Sequence, residues 1–204
     1  MVETLNQKAW LKDSYSNRKT GELNAYDSLF YQLSDTEKVS LIFPDEKYAD
    51  DLFTIIDEER DRLKTFLPWA SQMVNVSDEV KFLRYAKVKM QKQELFLLII
   101  LVNQQAVGMI DFHNFNQITK QAEVGYWLSE KYEKRGIMTK SLRWLMAYGF
   151  NSLKLKKIEI QVDKKNNNSL KIPRRLGFSE DKIIKNFAYY NGQHHDFVIF
   201  SQTK

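Results

Sequence analysis

The sequence predicts a single mixed α/β domain, and three observations carry that reading. Strand-like runs come first along the chain, at Val39–Phe43, Leu95–Val102, Ala106–Phe112 and Gln121–Leu128. A strand–helix–strand unit then spans Glu123 to Val162, with apolar spacing that changes from two to about three and a half and back. A hairpin closes the chain, its two strands joined by Asn191-Gly192, a dipeptide suited to the positive backbone angles of a tight turn.

Taken in order, residues 1–34 are polar, contain Gly21, and show only short helical stretches at Leu5–Leu11 and Leu23–Leu33. They read as an N-terminal extension, helical or partly ordered, ahead of one domain at 35–204. Pro44 stops the strand at Val39–Phe43, and Pro44-Asp45-Glu46 starts a helix, with proline and acids where a first turn favours them. Its apolar face is Ala49, Leu52, Phe53, Ile55 and Ile56, and charged helix continues from Asp57 to Leu67 until Pro68-Trp69. Ser77-Asp78-Glu79 caps the next helix, whose face is Phe82, Leu83, Ala86 and Met90. Leu95–Val102 is a buried strand, and Asn103-Gln104 turns it back into Ala106–Phe112. His113–Thr119 is a polar loop before Gln121–Leu128. Beyond Gly136, Leu142, Leu145, Met146, Gly149 and Leu153 recur at helical spacing. Ile158, Ile160 and Val162 alternate as in a strand. A short helix ends at Gly177, and two strands follow around Lys182–Tyr190 and His195–Ser201.

Composition narrows the chemistry. The chain has 204 residues, 43% hydrophobic and 13% aromatic, enough for a real core. It has no cysteine, which excludes thiol catalysis, a Cys-type zinc site and disulfides. The start of the chain lacks an apolar signal core, and the longest apolar run, eight residues, is far short of the ~20 that span a bilayer. A soluble, cytoplasmic protein with no membrane partner is expected. The net charge of +5 is concentrated: residues 129–158 hold eight Lys or Arg against two Glu. Such a surface suits a polyanionic small ligand, nucleic acid or plain solubility. With no aromatic platform beside it, direct nucleic-acid binding is the least favoured of these.

The most informative point is the turn before Gly136. Lys134 and Arg135 stand where a helix begins, although a helix N-terminus already carries about half a positive charge. Two cations and a glycine there suit an anion, which the free N–H groups of a first turn would bind. A solvated basic turn is the competing reading.

These residues together resemble the GCN5-related N-acetyltransferases (GNAT), in the Rim-type branch that acetylates N-termini of ribosomal proteins. LPWA at Leu67–Ala70, AEVGYWL at Ala122–Leu128, GIMT at Gly136–Thr139, NNNSLKIPRRLGF at Asn166–Phe178 and NGQHHD at Asn191–Asp196 carry the likeness. It runs from about Val39 to the C-terminus. The resemblance implies a mostly antiparallel mixed sheet, splayed between two middle strands and flanked by helices. It also implies acetyl-CoA as cosubstrate, no metal, and a primary amine as acceptor.

Residue by residue, the resemblance places the pyrophosphate at Gly136, Ile137, Met138 and Thr139, with Lys134 and Arg135 as added donors. Glu133 stands where the family pattern has Gln or Arg, an unfavourable neighbour for phosphates. Lys131, Lys140 and Arg143 could meet the 3′-phosphate or face solvent. The pantetheine arm would pair with the strand at Trp127 and Leu128 and meet Asn166 and Ser169. Ser169 takes the place of the acid for the leaving thiolate, although a serine after asparagine is also a natural helix cap. The Rim-type base position is Ala188 here, so Glu123 is the candidate base, directly or through water. Asp111 and His113 could also reach the cleft, whereas His194 and His195 on the final hairpin suit the surface. Trp69, His113 and Tyr126, with Leu63 and Phe66 nearby, would wall the acceptor. The acceptor is a protein N-terminal amine, of a ribosomal protein, or a small amine; a non-catalytic acyl-CoA-binding module is the third reading. Monomer and homodimer both remain open.

Overall fold

The computed structural model describes residues 30–34 and 37–204, so the expectation for residues 1–29 lies outside the described residues. Eight strands form one sheet: β1 (Phe30–Ser34), β2 (Glu37–Ile42), β3 (Phe96–Val102), β4 (Gln105–Asn116), β5 (Gln121–Leu128), β6 (Lys157–Asp163), β7 (Ser179–Tyr190) and β8 (Gln193–Thr203). Their spatial order is β1-β2-β3-β4-β5-β6-β8-β7. All neighbours are antiparallel except β5 and β6. The helices are α1 (Ala49–Glu58), α2 (Arg60–Lys64), α3 (Val76–Gln91), α4 (Ile137–Asn151) and α5 (Asn167–Arg175). The mixed, mostly antiparallel sheet expected from the sequence is thus the observed one.

Local chemistry explains most element ends. β3 is apolar and buried at every position, as a central strand covered on both faces must be. The Asn103-Gln104 turn has φ of 49° and 72°, the mirror-image turn whose twist matches its strands. Several expectations are corrected. Phe30–Ser34 is a strand paired with β2, not part of a helical stretch, because its backbone completes the β2 edge. The helix expected from Pro44 starts as a 3₁₀ turn at Glu46–Tyr48 and then breaks between α1 and α2 at Glu59. The cap of α3 is Asn75, whose Oδ1 accepts the Asp78 N–H at 3.2 Å; Ser77 lies inside the helix. β4 runs on to Asn116, so His113 lies in a strand rather than a loop.

The two sheet faces are distinguishable. A Cβ built at Gly149 of α4 would come within 2.7 Å of the Phe112 ring, so α4 packs directly on the Phe112 face. Because side chains alternate along a strand, Asp111 and His113 point to the opposite face. Their cross-strand partners Gly125 and Glu123 share that face, as does Trp127, whose ring lies 6.1 Å from that of Trp69.

One core residue is out of place. Glu79 of α3 is 1% exposed, its Oε1 has no hydrogen-bond partner among the described residues, and burial pushes its pKa up to about 7. An acid that is weaker in the folded than in the unfolded chain destabilises the fold increasingly as pH rises from 4.5 to 7. Glu79→Gln is therefore expected to stabilise the protein by about 3 kcal/mol at pH 8. The gain fades toward pH 4.5, and denaturant titrations at the two pH values check it.

Candidate active site

β5 and β6 pair only at Gln121↔Lys157, Ala122↔Ile158 and Glu123↔Glu159. Beyond Glu123 the two strands part, leaving the β6-facing backbone of residues 124–128 without a strand partner. The gap opens into a cleft of about 830 Å³ lined by Val124–Leu128, Ile160–Asp163, the turn at 133–139 and one face of α5. An extended arm carrying amides can pair with such a free strand edge.

At one end of the cleft stands the N-terminus of α4. Gly136 is its cap, in the left-handed region at φ 78°, and Lys134 is also left-handed at φ 59°. Gly136 has no side chain with which to cap this terminus, and no acidic residue lies in the first turn. The first-turn N–H groups and the helix dipole thus favour an anion here. Lys134, Gly136, Ile137, Met138 and Thr139 all line the cleft, as do Trp127, Leu128, Asn166 and Ser169. Arg135 does not; its guanidinium is ion-paired with Glu37 on β2 and lies 5.3 Å from the centre of the Tyr132 ring. Two cations outside the expected set face the cleft instead. Lys171 and Arg175 line the cleft from α5, and Arg175 Nη1 donates to Thr139 Oγ1 at 3.2 Å. Their i, i+4 spacing on one helix face was the available signal.

Glu133 has a partner that explains how it can stand beside an anion site. Arg62 Nη1 donates to its carboxylate at 3.0 Å, and Nη2 donates to the Leu128 carbonyl at 2.9 Å. Arg62 also pairs with Glu59, whose Oε1 accepts the Ser129 hydroxyl at 2.7 Å. One guanidinium therefore ties α2, the end of β5 and the turn together while offsetting part of the charge of Glu59 and Glu133. We expect Arg62→Ala to weaken the binding of an anionic ligand at this turn about tenfold, since it leaves the Glu133 carboxylate without its guanidinium. Adding Glu133→Gln should restore most of the affinity, as a binding titration of the double variant would reveal.

Across the cleft, Asn166 caps α5: its Oδ1 accepts the Ser169 N–H at 3.1 Å. Ser169 is therefore not the cap. Its carbonyl accepts from the Tyr126 hydroxyl at 3.2 Å, and its own hydroxyl, among the described residues, makes no hydrogen bond. Burial holds the Tyr126 phenol well above its ordinary pKa, so it remains a neutral donor.

The acceptor-side candidates lie beside the cleft rather than all within it. Tyr126, Leu63 and Phe66 line it; Trp69 packs behind Trp127. Glu123 and His113 do not line it. Glu123 Oε2 accepts from Asn114 Nδ2 at 3.1 Å and lies 3.6 Å from His113 Nε2, contacts that hold its pKa below the usual carboxylate value. His194 is exposed, but His195 is 3% exposed, which corrects its surface placement. Its Nδ1 lies 2.5 Å from Asp163 Oδ2, Tyr190 donates to the same carboxylate, and the two rings stack at 3.7 Å. This buried cluster fastens the β7–β8 hairpin to the end of β6.

The described residues contain no cluster of three or more side chains that could hold a metal, and no helix long and apolar enough to cross a membrane. A family profile described as "Acetyltransferase (GNAT) domain" matches residues 39–179. The putative ribosomal N-acetyltransferase YdaF of Bacillus subtilis (strain 168) is 37% identical over 105 residues, 52% of this chain and 57% of that protein. Spermidine N(1)-acetyltransferase of Escherichia coli (strain K12) is 28% identical over 100 residues, 49% of this chain and 54% of that one. This chain thus matches little more than half the length of each relative. Among solved structures, RimL, the ribosomal L7/L12 alpha-N-protein acetyltransferase in complex with coenzyme A, superposes with a TM-score of 0.78 at 24% identity. The match covers 85% of this chain and 97% of that one, a likeness of fold.

Proposed function

The chain belongs to the GNAT acetyltransferase family, and from that premise we propose that it transfers the acetyl group of acetyl-CoA to a protein N-terminal amine, of the kind a ribosomal protein presents. The observation that carries this reading is the splay of β5 from β6, with the glycine-started N-terminus of α4 lining the same cleft. An arm with two amides and a pyrophosphate has complementary groups along the whole cleft. Bound there, acetyl-CoA supplies an activated acyl carbon. The backbone at 136–139 with Lys134, Lys171 and Arg175 holds the phosphates. Tyr126 and Leu128, whose backbone groups point away from β4, offer that backbone to the arm, an N–H of this edge meeting the thioester oxygen, whereas the Trp127 N–H faces Met109 of β4. Ser169 gives the leaving sulfur its proton, while the polar group ending at Glu123 serves the amine. An N-terminal ammonium has a pKa near 8, so a modest base suffices.

The acceptor class draws on the relative named for ribosomal N-acetylation. A small polyamine is the second reading, favoured by the spermidine relative. Release of the CoA thiol, followed against peptides with free N-terminal serine or alanine, spermidine and an amino sugar, separates the two. Turnover of peptides at least tenfold above the small amines is the expected result. Acetyl-CoA binding without thiol release to any amine would leave a non-catalytic acyl-CoA module.

A further inference from the structure

We infer that Asp111 is the group that takes the proton from the acceptor ammonium, with His113 and Glu123 aligned behind it as positioning residues; this rests on the acetyl-transfer reading above. β4 and β5 bring the three together in register, Asp111 opposite Gly125 and His113 opposite Glu123. They lie on the sheet face that carries Trp127 and its neighbour Trp69.

The members differ in how much of their capacity is already used. Asp111 Oδ1 lies 2.7 Å from His113 Nδ1, and Oδ2 makes no hydrogen bond among the described residues. That free oxygen lies over Gly125: a Cβ there would come within 2.9 Å of Oδ2 and 3.3 Å of His113 Cε1. Gly125 lines the cleft, so the missing side chain is what leaves Asp111 next to the cleft floor. Glu123, by contrast, is engaged by Asn114 and His113 and stands one position farther along.

Charge distinguishes them in the same way. Burial alone would lower the His113 pKa, but hydrogen bonds from its ring to Asp111 and Glu123 raise it to about 9. The imidazole is then protonated at neutral pH, donating from Nδ1 to Asp111 at 2.7 Å and ion-paired through Nε2 with Glu123 at 3.6 Å. The row of carboxylate, imidazolium and carboxylate carries one net negative charge, an attractive neighbour for an ammonium. Burial also raises the Asp111 pKa, toward the range where a general base works best.

The step balances. Asp111 takes one proton from the ammonium, and the freed nitrogen lone pair forms the bond to the thioester carbon. The carbon–sulfur bond breaks and its electron pair leaves on sulfur. The second amine proton goes to that sulfur through Ser169, giving CoA thiol, and Asp111 returns its proton to water.

The test compares purified variants with the best acceptor of the wild type. Asp111→Asn, which keeps an oxygen for His113, should lower kcat/KM for the amine about 100-fold while the Michaelis constant for acetyl-CoA stays put. Asp111→Glu should recover part of the loss. Gly125→Ala should resemble Asp111→Asn, because its Cβ displaces the carboxylate. Glu123→Gln should cost less than about tenfold, yet move the His113 titration, read by NMR, down from about 9. Asp111→Asn within threefold of wild type, or Glu123→Gln costing more than Asp111→Asn, would overturn the assignment. A wild type that binds acetyl-CoA but acetylates nothing would overturn the acetyl-transfer reading itself, a result distinct from a loss confined to Asp111→Asn.

Discussion

Gly136→Asp is expected to raise the Michaelis constant for acetyl-CoA by about 100-fold or more while leaving the protein folded. The two halves of that expectation have separate causes. A Cβ at position 136 meets nothing within 4 Å, so there is room for the side chain. The left-handed backbone at φ 78° disfavours most residues, but aspartate tolerates it better than most, and an acidic cap interacts favourably with the helix dipole. Strain of about 1 kcal/mol is thus largely offset. The carboxylate, however, would occupy the position that the N–H groups of 137–139 reserve for phosphate. Two like charges about 4 Å apart in a partly screened site repel by about 4 kcal/mol, enough for the predicted effect even after relaxation. Turnover at saturating acetyl-CoA should change little. A large fall in turnover at an unchanged Michaelis constant would mean that the turn does not hold the phosphates.

Ser169→Ala is expected to do the opposite, lowering turnover by about 10- to 100-fold with cofactor binding nearly unchanged. The structure removes the main objection to a functional serine. Asn166 caps α5, so the Ser169 hydroxyl is not needed for helix stability, and thermal unfolding of the variant should match wild type. Ser169 lines the cleft beside Asn166. An alanine that turned over like wild type would mean that the thiolate takes its proton from elsewhere, through water.

The sheet and the turn were legible because their signals are local. Alternation fixed the faces of β5 and β6, and Asn-Gly fixed the final hairpin. The cations before Gly136 pointed to a turn that does line the cleft, through Lys134 and Gly136. The features missed depend on contacts distant in sequence. Nothing near Glu133 announces that Arg62, 71 positions earlier, pairs with it. Nothing in the polar stretch NGQHHD tells the exposed His194 from the buried His195, whose partner Asp163 lies 32 residues away. Arg135 has the right charge in the right segment, yet Glu37 holds it. The Phe30–Ser34 strand carries little strand pattern of its own, because an edge strand draws its order from its neighbour. Asp111 gains meaning only when register sets it over a glycine.

The acceptor remains the central claim, and mass spectrometry of cellular protein N-termini tests it most directly. Cells expressing the chain would be compared with cells expressing Ser169→Ala at equal abundance. The account predicts new acetylation at the α-amine of one or a few protein N-termini, ribosomal ones among them, in the wild-type sample only. Unchanged N-termini together with newly acetylated small amines in the same extracts would contradict it.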